Sequence, residues 1–191
     1  MTHKFSYLFL AGFFTITLCK SQDKILFLKI NYDSIRIVLE KVYDRDQNIR
    51  RMLQDSIGHN SNGFLISRMI TIDSENQNIV IPLLDKYGLR PKSKIGNKAN
   101  DAVFFVIQHS NLELMEKYFP IFDSLARKGE TNRIHVAMME DRLLMWKGLK
   151  QKYGTQANSF KKTGDKMMIW PIEQPDKVDS LRKAVGFNNT I

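Results

Sequence analysis

Apolar side chains recur every three or four residues along most of this chain, and turn residues cut the pattern into helix-length pieces. A half-buried strand would need strict alternation, so this period commits the chain to helices whose apolar stripes must cover one another. From Tyr32 to about Ile57 the stripe is Ile35, Val38, Leu39, Val42, Ile49, Met52 and Leu53, which describes one long helix or two with a break near Asp44 to Asp46. The run HNSNG, His59 to Gly63, is turn chemistry. Phe64 to Tyr87 carries Leu65, Met69, Ile72, Ile79, Leu83 and Leu84 on one stripe. Its β-branched IVIP run offers a strand alternative, but the helical spacing continues through it and Gly88 is a helix-ending glycine.

After the basic loop LRPKSKIGNKAN, with Asn97 or Asn100 as a helix N-cap, Ala102 to Ile107 is apolar on all sides. That predicts a central helix buried by its neighbours, with a buried strand as the alternative. Leu112 to Arg127 predicts a helix with Leu114, Met115, Tyr118, Phe119, Ile121, Phe122 and Leu125 inward, kinked or broken at Pro120. Arg133 to Lys152 predicts the last long helix, its stripe being Ile134, Met138, Leu143, Leu144 and Trp146, with Gly154 as its left-handed stop. Met167 to Pro171 reads as a short hairpin or extended piece, and Pro175 and Gly186 bracket a short final helix. The fold class is therefore all-α, an irregular helical bundle with a small extended or hairpin segment near the C-terminus.

The first residues follow a different rule. MTHKFSYLFLAGFFTITLCKSQDK has a basic start at His3 and Lys4, an apolar run from Phe5 to Leu18, and then small or polar residues, the layout of a secretory signal. Such a run is too short to span a bilayer comfortably, so the expectation is a signal over residues 1–21 and a single helical domain over 22–191. The alternative is a lipoprotein cut before Cys19 and anchored there, although Leu18 stands where a lipobox usually has a smaller residue. The expected location is exported, periplasmic or secreted, and a membrane is a partner only if Cys19 is lipidated. Cys19 is the single cysteine, so the remainder must be held by packing rather than disulfides.

The chain has 29 lysines and arginines against 20 acids, a net charge of +9, but the basic residues are scattered among acids without an aromatic-interleaved stripe. A solvated basic surface is the reading, and nucleic acid is not the expected partner. No phosphate loop, dinucleotide fingerprint or nucleophile elbow is present, so no cofactor is expected. No metal motif is expected either: His59, His109 and His135 are far apart, and His135 with Asp141 lacks same-face helical spacing.

What remains is a set of polar residues at places where a helical protein seldom puts them without a reason. Asp46, Gln47 and Arg50 sit within one helical turn, able to hold a polar ligand or to form a plain intrahelical ion pair. Gln108 and His109 follow the apolar run at the edge of the core, where a histidine can be a base, a donor to a ligand or a cap for free carbonyls. Asp141 and Arg142 interrupt an apolar helix and must find partners if they face inward, as a site or as a bridge between helices. Tyr153, Thr155 and Gln156 present polar groups in the turn YGTQ.

Taken in order, DQNIR, DSEN, YGLRPKSKIG, AVFFVIQHSN, EDRLLMWKGLKQKYGTQ and PIEQPDKVDSLRKAVGF resemble an uncharacterised bacterial family, domain of unknown function 6624. The resemblance implies no activity. It implies that Asp46, Gln47, Arg50, Asp73, Asn76, Gln108, His109, Asp141, Arg142 and Gln156 belong to one cleft closed by the YGTQ turn. The family pattern has Gly-Trp-Pro where this chain has Gly88, Leu89, Arg90 and Pro91. The expectation is an exported domain binding a small polar ligand or a protein partner. One alternative is a metal-independent hydrolase or lyase with His109 as base, Asp141 orienting it and Arg142 or Arg50 stabilising an anion. Another is a structural or interaction module whose polar residues are buried bridges.

Overall fold

The computed structural model describes residues 31–56, 62–163 and 166–191, with side chains at 62 and 158–167 left aside. The signal expected at residues 1–21, with Cys19, and the turn at His59 lie outside the described residues. Asn31 to Ile191 cluster as one unit.

The chain is all-α with a small hairpin, as its periodicity requires. Helix α1 spans Tyr32–Asp55 without a break, its first turn capped by Asn31, whose side chain accepts from the Ser34 amide at 3.0 Å. Helix α2, Asn62–Tyr87, runs through both IVIP and Pro82. Val80 and Leu84, one turn apart, are buried together, so packing of a helical face decides against the β-branched strand alternative. Gly88, at φ 66°, ends α2 by donating its amide to Leu84 at 2.8 Å. The basic loop holds a single-turn helix, α3 (Lys92–Ile95), and α4 (Asn97–Gln108) then starts from Gly96, not from an asparagine cap.

Helix α4 is the central element: Ala99, Ala102, Val103, Phe104, Val106 and Ile107 are buried. Helices α1 and α2 lie against it, and α5 (Leu112–Arg127) and α6 (Arg133–Trp146) pair with each other beyond it. Phe104 meets Phe122 of α5 edge-on at 6.4 Å, and its ring stacks on His135 of α6 at 4.1 Å. Pro120 does not break α5. Leu89 is buried among Ile35, Leu39, Val80 and Leu83. Burial also trims the expected stripes, since Val38, Met52, Ile121 and Trp146 stay exposed.

The end of α6 departs from expectation. The helix stops at Trp146, and Gly148, at φ 72°, turns the chain, so the YGTQ segment is not a helix end. The chain after Gly148 is extended: Gln151 pairs in parallel with Ile172, its amide donating to Pro171 O at 2.9 Å and its carbonyl accepting from Glu173 at 2.8 Å. Strands β1 (Ala157–Thr163) and β2 (Lys166–Ile169) form the hairpin, with a register irregularity between Asn158 and Lys162. A 3-10 turn at Pro175–Lys177 leads into α7, Val178–Val185, which ends at Gly186 in the left-handed region. Among the described residues, no helix is long and apolar enough to cross a membrane.

Candidate functional site

The polar residues singled out in the sequence assemble into two nests joined by one arginine. The first lies where the C-terminal end of α4 meets α1 and α2. Asp46 of α1 faces inward and its side chain is 1% exposed, whereas Arg50, one turn later, and His109, which caps α4, keep 21% and 20% exposure. The Arg50 guanidinium is the hub. Its Nη2 lies 2.7 Å from Asp73 Oδ1 on α2 and 3.3 Å from Asp46 Oδ1, and its Nε donates to His109 Nδ1 at 3.2 Å. Gln47 closes the group by donating to Asp46 Oδ2 at 2.8 Å.

His109 Nδ1 also lies 3.3 Å from Asp46 Oδ1. One ring nitrogen cannot accept from Arg50 and donate to Asp46 in the same state. The Arg50 Nε–H points at Nδ1, so the neutral imidazole carries its proton on Nε2 and presents a donor outward. Nδ1–H toward Asp46 belongs to the other neutral tautomer or to the protonated ring, and either loses the Arg50 bond. The two aspartates are driven apart by the same surroundings. Burial pushes the Asp46 carboxyl up, but a protonated His109, the Arg50 charge and the Gln47 amide outweigh it and leave Asp46 below the ordinary carboxylate range. For Asp73 burial wins over Arg50, and its carboxyl is raised.

The second nest belongs to Asp141, which is fully buried and has no cationic side chain paired with it among the described residues. Its Oδ1 accepts from the amides of Lys152 at 2.7 Å and Tyr153 at 3.1 Å, and its Oδ2 from the Thr155 amide at 3.0 Å and hydroxyl at 2.9 Å. The YGTQ turn is wrapped round this carboxylate. Charge-assisted bonds from several backbone amides replace the hydration that burial removes. Asp141 as the orienter of His109 is therefore corrected: its oxygens hold the turn, and the carboxylate beside His109 is Asp46.

Arg142 joins the nests. Its Nε donates to Gln156 Oε1 at 3.0 Å and its Nη1 to the Gln108 carbonyl at 2.8 Å. Burial lowers the pKa of its guanidinium, and the nearby Arg50 charge lowers it further. No carboxylate among the described residues pairs with it. Gln108, 2% exposed, finds no hydrogen-bond partner for either atom of its side-chain amide. Asn76 stands to one side, accepting from Arg45 Nη2 at 2.6 Å, so it supports the α1/α2 contact and does not touch Arg50. The Tyr153 phenol has its pKa raised by burial and by Glu140, and the residue's backbone serves Asp141.

Two residues that the sequence did not single out complete the assembly. Buried Gln151 donates to Gln156 O at 2.9 Å and to Trp170 O at 2.7 Å and accepts from the Gln156 amide at 2.8 Å, locking YGTQ to the segment before PIE. Arg182 of α7 donates to Tyr153 O at 2.8 Å and Asn189 O at 2.9 Å, tying the last helix and tail to the same turn. Gln151 sits in polar sequence with no period to mark it inward, whereas Arg182 falls one turn after buried Val178 on the inner stripe of α7.

Asp46, Asp73 and His109 offer ligand atoms within 4.8 Å of one another, a cation-holding set that sequence spacing concealed because it draws on three segments. The Arg50 guanidinium already stands at these atoms and supplies the positive charge there. A metal ion would have to displace it. The larger surface grooves, such as the 600 Å³ hollow lined by Asp123, Arg133, Glu140 and Tyr153, are not lined by Arg50, His109 or Arg142.

The family of unknown function DUF6624 matches residues 34–190. This chain belongs to that family. The match runs from the first turn of α1 to the penultimate residue, so it takes in both nests and the Arg182 tie. No curated protein and no solved structure matches the chain.

Proposed function

We propose that this DUF6624 protein is exported and binds a small polar ligand on the face formed by Arg50, His109, Arg142 and Gln108. The observation that carries the reading is the Arg50 Nε–H bond to His109 Nδ1, which fixes a part-exposed imidazole whose Nε2–H has no acceptor among the described residues. A histidine held this way is a preorganised donor for a ligand. The basic start, the short apolar run and the small residues before Gln22 support export.

A thermal-shift screen of polar metabolites against the wild type and His109→Ala tests the binding reading. Compounds that raise the wild-type melting temperature and fail on the variant are expected; equal shifts in both proteins would sink it. Mass spectrometry of the protein recovered from its native cell tests export. Pyroglutamate at Gln22 or an acylated Cys19 is expected, and a chain still beginning at Met1 would refute it.

One observation favours a second reading, a hydrolase or lyase with His109 as base. Asp46 Oδ1 lies 3.3 Å from Nδ1, where a base-orienting carboxylate would sit. That role needs the Nδ1–H tautomer and therefore the loss of the Arg50 bond, which is why binding is preferred.

A further inference from the structure

We propose that the ligand is held through a carboxylate group, gripped between the guanidinium groups of Arg142 and Arg50 with the His109 Nε2–H alongside. The proposal rests on the binding reading above and gives its chemistry.

The free valences of the face are almost all donors. Arg50 uses Nε and Nη2 on His109, Asp73 and Asp46, and Arg142 uses Nε and Nη1 on Gln156 and Gln108, which leaves Arg50 Nη1 and Arg142 Nη2 without a bond to the described residues. His109 adds Nε2–H, and the Gln108 amide is buried and unpartnered. Gln108 is also the residue whose carbonyl holds Arg142, so the unmatched amide belongs to the same corner of the structure. Apart from the Gln108 side-chain oxygen these are all donors, and such a set is complementary to an oxyanion.

Charge points the same way. Arg50 has two carboxylates beside it, but Arg142 is taken out of water against neutral oxygens and next to another cation. A desolvated guanidinium without a counter-ion is costly, and a ligand anion removes that cost. The number of charges selects the anion. Arg50 is already answered by Asp46 and Asp73, and Arg142 alone has no carboxylate among the described residues. A dianion such as a phosphate ester would set excess negative charge against Asp73 and Asp46. A single carboxylate matches the one unmatched cation, and its two oxygens suit two guanidinium N–H groups.

The test is an NMR titration of the 15N-labelled full mature chain, following the Nε–Hε signals of Arg142 and Arg50, with acetate, its neutral isostere acetamide, and inorganic phosphate. Saturable shifts of both arginines with acetate alone are expected, and Arg142→Lys, shown folded by its amide spectrum, is expected to bind acetate at least about tenfold more weakly because the planar fork is gone. Saturation by phosphate without acetate would overturn the carboxylate assignment. If acetamide binds as well as acetate, the face binds ligands but the anion proposal is wrong. If none of the three moves these signals while the metabolite screen yields His109-dependent binders, only this proposal falls; if the screen is empty too, both fall.

Discussion

Asp46 and Asp73 show how two identical side chains on one guanidinium acquire opposite titrations. Asp46 has its folded pKa lowered, so its stabilisation is complete above the unfolded value of about 3.9 and is lost as the pH falls through the folded value. Asp46→Asn is therefore expected to lose about 1–3 kcal/mol at pH 7 and much less near pH 3, measured by urea unfolding at both. Asp73 has its pKa raised, so its ionisation opposes folding at neutral pH and that opposition fades as the pH falls through the folded value toward the unfolded one. Asp73→Asn, which keeps an acceptor for Arg50, is expected to be no less stable than the wild type at pH 7. Gln108 makes a different point. Its amide is buried without a partner, so Gln108→Leu is expected to raise stability by about 1 kcal/mol in the same assay while weakening acetate binding.

Among the elements, the YGTQ turn is held from inside. Asp141→Asn keeps the shape of the side chain but puts an NH2 group against backbone donors, and is expected to cost about 2–3 kcal/mol in urea unfolding. Its effect on acetate affinity is expected to be indirect, through Gln156 and Arg142. The two glycines flanking this region separate strain from contact. Gly148, at φ 72°, has open space where a Cβ would go, whereas at Gly154, φ 67°, a Cβ would run into the tip of the Ile191 side chain. Gly148→Ala is expected to cost about 1–2 kcal/mol of left-handed strain. Gly154→Ala is expected to cost that plus the displacement of Ile191, so its melting temperature falls further.

At the scale of the whole molecule, Arg182 and Gln151 tie the segment after α6 together, with anchors at Tyr153, Trp170 and Asn189. The core and both nests lie between Asn31 and Ile191, which cluster together. A chain starting at Asn31 is accordingly expected to unfold in one cooperative step and to keep its acetate response; a broad, non-cooperative melt by circular dichroism would show that earlier residues are part of the fold.

The helices were legible in the sequence because an amphipathic helix writes its burial as a local period: the stripes of α1 and α5 name Leu39, Val42, Met115 and Phe122 before any neighbour is known, and the all-apolar run of α4 marks it as central. So were the stops at Gly88 and Gly186, which depend on one residue's conformational freedom. The polar candidates were legible as types, since a charge in an apolar helix must be answered. Helical spacing gave the Asp46–Arg50 pair within α1, but the partners from other segments were not legible. His109 and Asp141 formed a plausible pair on chemistry alone, yet folding gave His109 to Asp46 and Arg50 and gave Asp141 to the amides of the turn. Hydrogen bonds and ion pairs act over a few ångströms between residues from different segments. Which donor meets which acceptor is therefore set by how α1, α2, α4 and α6 pack, and no spacing along the chain encodes it.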